Sequence, residues 1–141
     1  MSGDRELLLL LATLQPTLSA TEMVFCTFPD PAIAERLHLH PVATFQEREG
    51  LSLIIPKAAA EQHGISFEVT FKAITLTVQS SLQAVGLTAA VAGRLALHGI
   101  SANMVAAYYH DHIFVPTRDA ERAVRILRDL QAEALAASGT A

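Results

Sequence analysis

Phe71-Lys72-Ala73-Ile74-Thr75-Leu76-Thr77-Val78-Gln79-Ser80-Ser81-Leu82-Gln83-Ala84-Val85-Gly86-Leu87 is the stretch on which the fold turns. Ile74, Leu76 and Val78 fall on one side of an extended chain and Thr75, Thr77 and Gln79 on the other, so Phe71 to Gln79 reads as a half-buried strand. The alternation stops at Ser80, and the next periodic pattern is helical. Leu87, Val91 and Leu95 form one stripe over Leu87 to His98, with Gly99 as the residue that ends the helix. Ser80 to Gly86 is therefore a loop running from a strand end into a helix start.

Working outward, Ile100 to Tyr109 and His112 to Val115 read as a hairpin turning at His110-Asp111, where Asp suits a tight turn. Thr117 reads as the N-cap of a helix over Arg118 to Gln131, with Asp119 in its first turn. Ala120, Ala123, Val124, Leu127 and Leu130 give that helix a core stripe. Glu121 with Arg125, and Arg125 with Asp129, are spaced for i, i+4 ion pairs. The tail after Glu133 is small and polar enough to fray. The order is strand, helix, two strands, helix.

The first half gives a fainter version of the same order. Glu22 to Phe28 is rich in strand formers and stops at Pro29-Asp30-Pro31; Ala32 to Leu39 fits one helical turn. Val42 to Glu47 and Leu51 to Ile55 read as strands around Glu49-Gly50, where glycine supplies a positive φ. Lys57 to His63 reads as a brief helix stopped by Gly64. Phe67 to Gln79 reads as nearly continuous strand, so no linker separates the halves. Ahead of all this, Leu7, Leu10, Leu11 and Leu14 make a helical stripe ended by Pro16. Leu8 and Leu9 are apolar as well, which leaves an extra strand completing the second unit's sheet as the other reading. The architecture that results is α+β: tandem ferredoxin-like units, antiparallel sheets with helices packed on one face, the units spanning 1–70 and 71–141.

Composition narrows the function. Of 141 residues 51% are apolar, enough for a real core. A net charge of −4 without a basic run disfavours nucleic acid and anionic lipid as partners. The leucine run is far shorter than the ~20 residues a membrane span needs. A single cysteine, Cys26, sits in an apolar strand as a small inert hydrophobe, which fits a reducing, cytoplasmic setting. No G-x-S-x-G elbow, C-x-x-C pair, H-E-x-x-H or P-loop occurs, so an enzyme is not expected and no cofactor is called for.

These pieces resemble an ACT domain over residues 74–130. The matching segments are Val78-Gln79-Ser80-Ser81, Val85-Gly86-Leu87, His98-Gly99-Ile100 and His112-Ile113-Phe114-Val115-Pro116. The whole chain is similar to a bacterial family of short tandem ACT proteins related to the ACT repeats of eukaryotic arginine sensors. In the first half the strand Met23 to Phe28 and the acidic hairpin Glu47-Arg48-Glu49-Gly50 carry the likeness. The resemblance implies a non-enzymatic regulatory protein that binds an amino acid or similar metabolite at an interface between ACT units, and open sheet edges and apolar faces point to a homodimer. Ser80 and Ser81 stand where many metabolic ACT domains have an acidic residue.

A helix start offers unpaired N–H groups and a positive dipole end, which suits a ligand carboxylate. The candidate binding residues are Ser80, Ser81, Leu82, Val85, Gly86 and Leu87, with Asn103 and Met104 on a neighbouring strand and Asp111 as counter-charge for an ammonium group. Glu47 and Glu49 are further acidic choices. The plainer reading of the same residues is that the serines cap the helix and Gly86 eases packing. A ligand-free interaction module is the competing class. A third is metal binding through His110 and His112, which share a face if they lie on one strand and lose it if residue 110 is in the turn; no metal ligand is assigned on this reading. His38-Leu39-His40 has the same form but sits in a loop.

Overall fold

The computed structural model describes residues 2–78 and 85–139. In chain order its elements are α1 (Ser2–Ala12), β1 (Pro16–Leu18), β2 (Met23–Phe28), α2 (Pro31–Leu37), β3 (Ala43–Gln46) and β4 (Leu51–Pro56). Then come α3 (Lys57–Gln62), β5 (Phe71–Leu76), α4 (Leu87–Leu97), β6 (Asn103–Ala106), β7 (Asp111–Pro116), a 3-10 turn (Thr117–Asp119) and α5 (Ala120–Ala137). Two compact units emerge: Ala20–Lys72, and the residues up to Ser19 together with those from Ala73 onward. The leading segment thus belongs with the C-terminal unit, whereas the expected boundary at residue 70 counts it with the N-terminal one. Residues 67–70, read as strand, lie outside β5, and Gln79 lies outside the described residues.

In the Ala20–Lys72 unit the strand order is β3-β4-β2 and then the start of β5, where Met23 pairs with Phe71. Val24, Leu53 and Ile55 point to the helix side and bury against Ala34, Leu39 and Ala60, with Cys26 and Phe28 beside them. Burial raises the Cys26 thiol above its usual pKa, which keeps it protonated. Phe25 and Phe71 meet edge to face on the other side, with centroids 5.0 Å apart. Asp30 starts α2: its Oδ1 accepts from the Ala32 N–H at 3.0 Å, and Pro31 fills the first helical position. The β3–β4 turn is Arg48-Glu49, closed by the Glu47 N–H on the Gly50 carbonyl at 2.8 Å. Gly50 comes next with φ +152°, and a Cβ there would strike the Phe28 carbonyl.

In the other unit the order is β6-β7-β5-β1, the same ferredoxin-like order with its fourth strand drawn from the N-terminal segment. Pro16, Thr17 and Leu18 pair antiparallel with Leu76, Thr75 and Ile74. The leucine segment is helix, and the alternative reading of it as a strand does not hold: the strand that completes this unit's sheet is the separate Pro16–Leu18, just past it. Gln131 of α5 fastens the junction, accepting from the Gln15 N–H at 3.0 Å and donating to the Ala12 carbonyl at 3.1 Å. Ile74, Leu76, Ile113 and Val115 bury against Leu11, Leu14, Leu87, Val91, Leu95 and the α5 stripe. Each fully buried leucine or isoleucine there is worth about 2 kcal/mol or more in transfer energy.

Helix ends are set by local chemistry. Behind α4, the Gly99 N–H reaches the Ala96 carbonyl and the Ile100 N–H the Leu95 carbonyl, both at 3.0 Å, with Gly99 at φ +71°. Thr117 is not the cap of α5; it opens the 3-10 turn, and α5 begins after Asp119. That carboxylate pairs with Arg122 at 3.3 Å and lies 3.8 Å from Arg118. The spacing Glu121–Arg125–Asp129 does not produce ion pairs among the described residues; Arg94 reaches across to Glu133 instead, with one of its two bonds at 3.1 Å. The helix also runs on to Ala137 rather than fraying after Glu133, because Ala134 is buried in the core.

The β6–β7 turn differs from the expectation. Ala106 pairs with Asp111, and the Ala107 N–H donates to the His110 carbonyl at 3.1 Å. The turn is therefore Tyr108-Tyr109, an edge-to-face pair with Tyr108 80% exposed, and His110-Asp111 lead into β7.

Candidate functional site

Ser80, Ser81 and Leu82 lie outside the described residues. The remaining three loop residues are contiguous: Val85 is 86% exposed, Gly86 is the N-cap of α4, and Leu87 is buried in the core. Gly86 takes φ +94°, and among the described residues no side chain caps the helix there. Its carbonyl accepts the first α4 bond, from the Ala90 N–H at 2.9 Å. First-turn N–H groups with no capping side chain are the arrangement that favours an anionic group. The space a side chain would need at Gly86 is taken by Leu7 of α1, whose Cδ2 would lie 3.2 Å from a Cβ. The close approach expected of a ligand at this glycine is made by the protein's own leucine.

The hairpin residues separate. Thr75 Oγ1 and His112 Nδ1 are 2.9 Å apart, so β7 at His112 is level with the end of β5 from which the loop departs. Asp111, next to His112, is at that same end. Asn103 pairs with Phe114, about two residue rises further away, and its Nδ2 donates to the Phe114 carbonyl at 3.1 Å. Met104 packs on the helix-side core, so it and Asn103 face opposite ways. Of the three, Asp111 is the one level with the C-terminal end of β5.

Reading the sequence by motif misses the polar row on the helix-free face. Thr17 pairs with Thr75, Thr75 bonds His112, and Thr77 Oγ1 donates to the Gln15 carbonyl at 2.8 Å. The signal is the outward set Thr75 and Thr77, which by itself says only that a strand alternates. Burial, then the neighbouring His110, hold His112 below its ordinary pKa, with Asp111 opposing them. In the other unit Glu47 is engaged with the Ser52 hydroxyl. Among the described residues no group of three His, Cys, Asp or Glu gathers as a metal site. No helix among them is long and apolar enough to cross a membrane.

Two ferredoxin-like units with helices on one side define an α+β fold. Models of the ACT domain match residues 2–72 and 68–129, and the chain belongs to the ACT domain family. It is similar to a Vibrio cholerae protein of unknown function described as a possible transport protein. The identity is 52% over 90% of this chain and 96% of that one, with a TM-score of 0.79. The regulatory subunit of aspartate kinase from Thermus thermophilus shares the fold at 11% identity, covering 84% of this chain and 97% of that one, with a TM-score of 0.60. Aspartate kinase from Clostridium acetobutylicum does so at 13% identity and a TM-score of 0.60, over 82% of this chain and 34% of that one. No curated protein matches the chain.

Proposed function

We propose that this chain is a non-enzymatic, cytoplasmic regulatory protein that binds an amino acid or similar small metabolite and acts as a homodimer. The ligand's carboxylate sits at the start of α4, held by Ser80, Ser81 and Leu82 and by the backbone N–H groups of Val85, Gly86 and Leu87. Asp111 supplies the counter-charge for its amino group, with Asn103 and Met104 further along the same hairpin. The observation that carries this reading is the α4 start: a glycine N-cap, uncapped by any described side chain, opening beside an exposed Val85. Membership of the ACT family and the fold shared with an aspartate kinase regulatory subunit support it. Binding works by population shift, the ligand favouring one arrangement that a separate enzyme or effector reads.

A second reading has its own observation. Phe45 is 72% exposed on β3, the outermost strand of its unit's order, and Val42 just ahead of it is exposed too. An open, apolar strand edge invites pairing with another chain, so a pure dimerisation module is the alternative. A thermal-shift screen of the twenty amino acids decides between them. Ligand at 100 times its Kd adds about 2.7 kcal/mol and raises the melting temperature by several degrees. Flat melting temperatures with all twenty at millimolar concentration reject the sensor reading.

A further inference from the structure

The histidines just after the β6–β7 turn form a pair that the proposed amino-acid site does not use. In the sequence alone, their relation hangs on where the turn falls. With the turn at Tyr108-Tyr109, the Ala107 N–H to His110 carbonyl bond carries the ladder one step past Ala106–Asp111. His110 and His112 are then two apart on one extended segment, where side chains share a face.

Two further details separate this pair from solvent-exposed turn histidines. His112 Nδ1 is bound to Thr75 Oγ1 at 2.9 Å. When that nitrogen carries the proton and donates to the threonine oxygen, Nε2 is left with its lone pair free, in a ring whose orientation is fixed. Metal-ligating histidines are held this way, by a partner on the second ring nitrogen. His110 Nδ1 is buried and has no hydrogen-bond partner among the described residues. A buried polar atom without a partner is uncommon and costs free energy unless something fills the role.

The geometry points to His110 and His112 as a two-imidazole chelate for a late divalent transition metal, with Thr75 positioning His112 and water completing the coordination. Nitrogen ligands select Cu2+, Ni2+ and Zn2+ over Mg2+ or Ca2+, with Cu2+ bound most tightly. His38 and His40 have the same spacing but sit at φ +52° and +55°, outside any strand, and so serve as the internal control.

Cu2+ added to the full-length chain is the probe, read by calorimetry and by electron paramagnetic resonance. The expected result is one equivalent bound with the nitrogen splitting of two imidazoles. His110→Asn and His112→Asn each lower the affinity more than Thr75→Val, which lowers it about tenfold. The doubly substituted His38→Asn, His40→Asn chain keeps the site. Matching melting temperatures in metal-free buffer establish that the variants fold. Affinity unchanged by either single histidine variant, a one-nitrogen signal, or a site lost only with His38 and His40 overturns the proposal.

Discussion

Leu7 Cδ2 lies 3.2 Å from where a Cβ on Gly86 would stand, so the N-terminal helix leans on the very residue that opens α4. Gly86 is also at φ +94°, a conformation that L-residues adopt only with strain. Gly86→Ala is expected to cost about 1–2 kcal/mol in urea unfolding. Adding Leu7→Ala to it separates the two causes: contact is relieved, the φ strain stays. A Gly86→Ala protein as stable as the parent removes this account of the junction.

Gly50 gives a harsher case, because backbone rather than a flexible side chain stands in the way. A Cβ there collides with the Phe28 carbonyl, and φ is +152°. Gly64 is the control, at φ +65° with nothing within 4 Å of its missing Cβ. Gly64→Ala should cost roughly 1 kcal/mol, the conformational term alone, and Gly50→Ala clearly more. Equal losses would mean that the β4 start shifts to make room.

Removing residues 2–19 tests where the leading segment belongs. β5 then loses β1, and the core loses Leu11 and Leu14. Each such leucine is worth on the order of 2–5 kcal/mol in a core. Hydrogen exchange should show lost protection at Ile74, Leu76, Ile113 and Val115, while β2 and β4 keep theirs. Uniform loss across both units, or none, contradicts the division of the chain.

Periodicity is what made the helices legible in the sequence. The α4 stripe Leu87, Val91, Leu95 and the α5 stripe are buried as read, since amphipathic spacing records which face is inside. Turns and ends were less legible. Tyr108-Tyr109 carries no turn signature, whereas His110-Asp111 does, yet ladder register placed the turn two residues earlier. The residues up to Ser19 join the C-terminal unit through the pairing of β1 with β5, a long-range contact that local pattern does not encode. At the start of α4 a glycine is legible by residue type. Leu7 over it is not, because the two lie far apart along the chain.

Glu22 offers a pH test in the Ala20–Lys72 unit. Thr70 Oγ1 donates to its Oε1 at 2.9 Å, and Lys57 Nζ lies 3.5 Å from Oε2. The Thr70 bond is the main cause of a carboxyl pKa below its ordinary value; burial opposes it and Lys57 adds to it. A group ionised more readily folded than unfolded contributes stability above its unfolded pKa. That contribution fades as the pH falls through the folded value. Thr70→Val should therefore lower the melting temperature at pH 7, and the gap from the parent should narrow below the ordinary carboxylate range. The Glu22 carboxyl, tracked by carbon NMR, should titrate at higher pH in the variant. A gap that stays constant from pH 7 down to acid unfolding would show that Thr70 acts by packing alone.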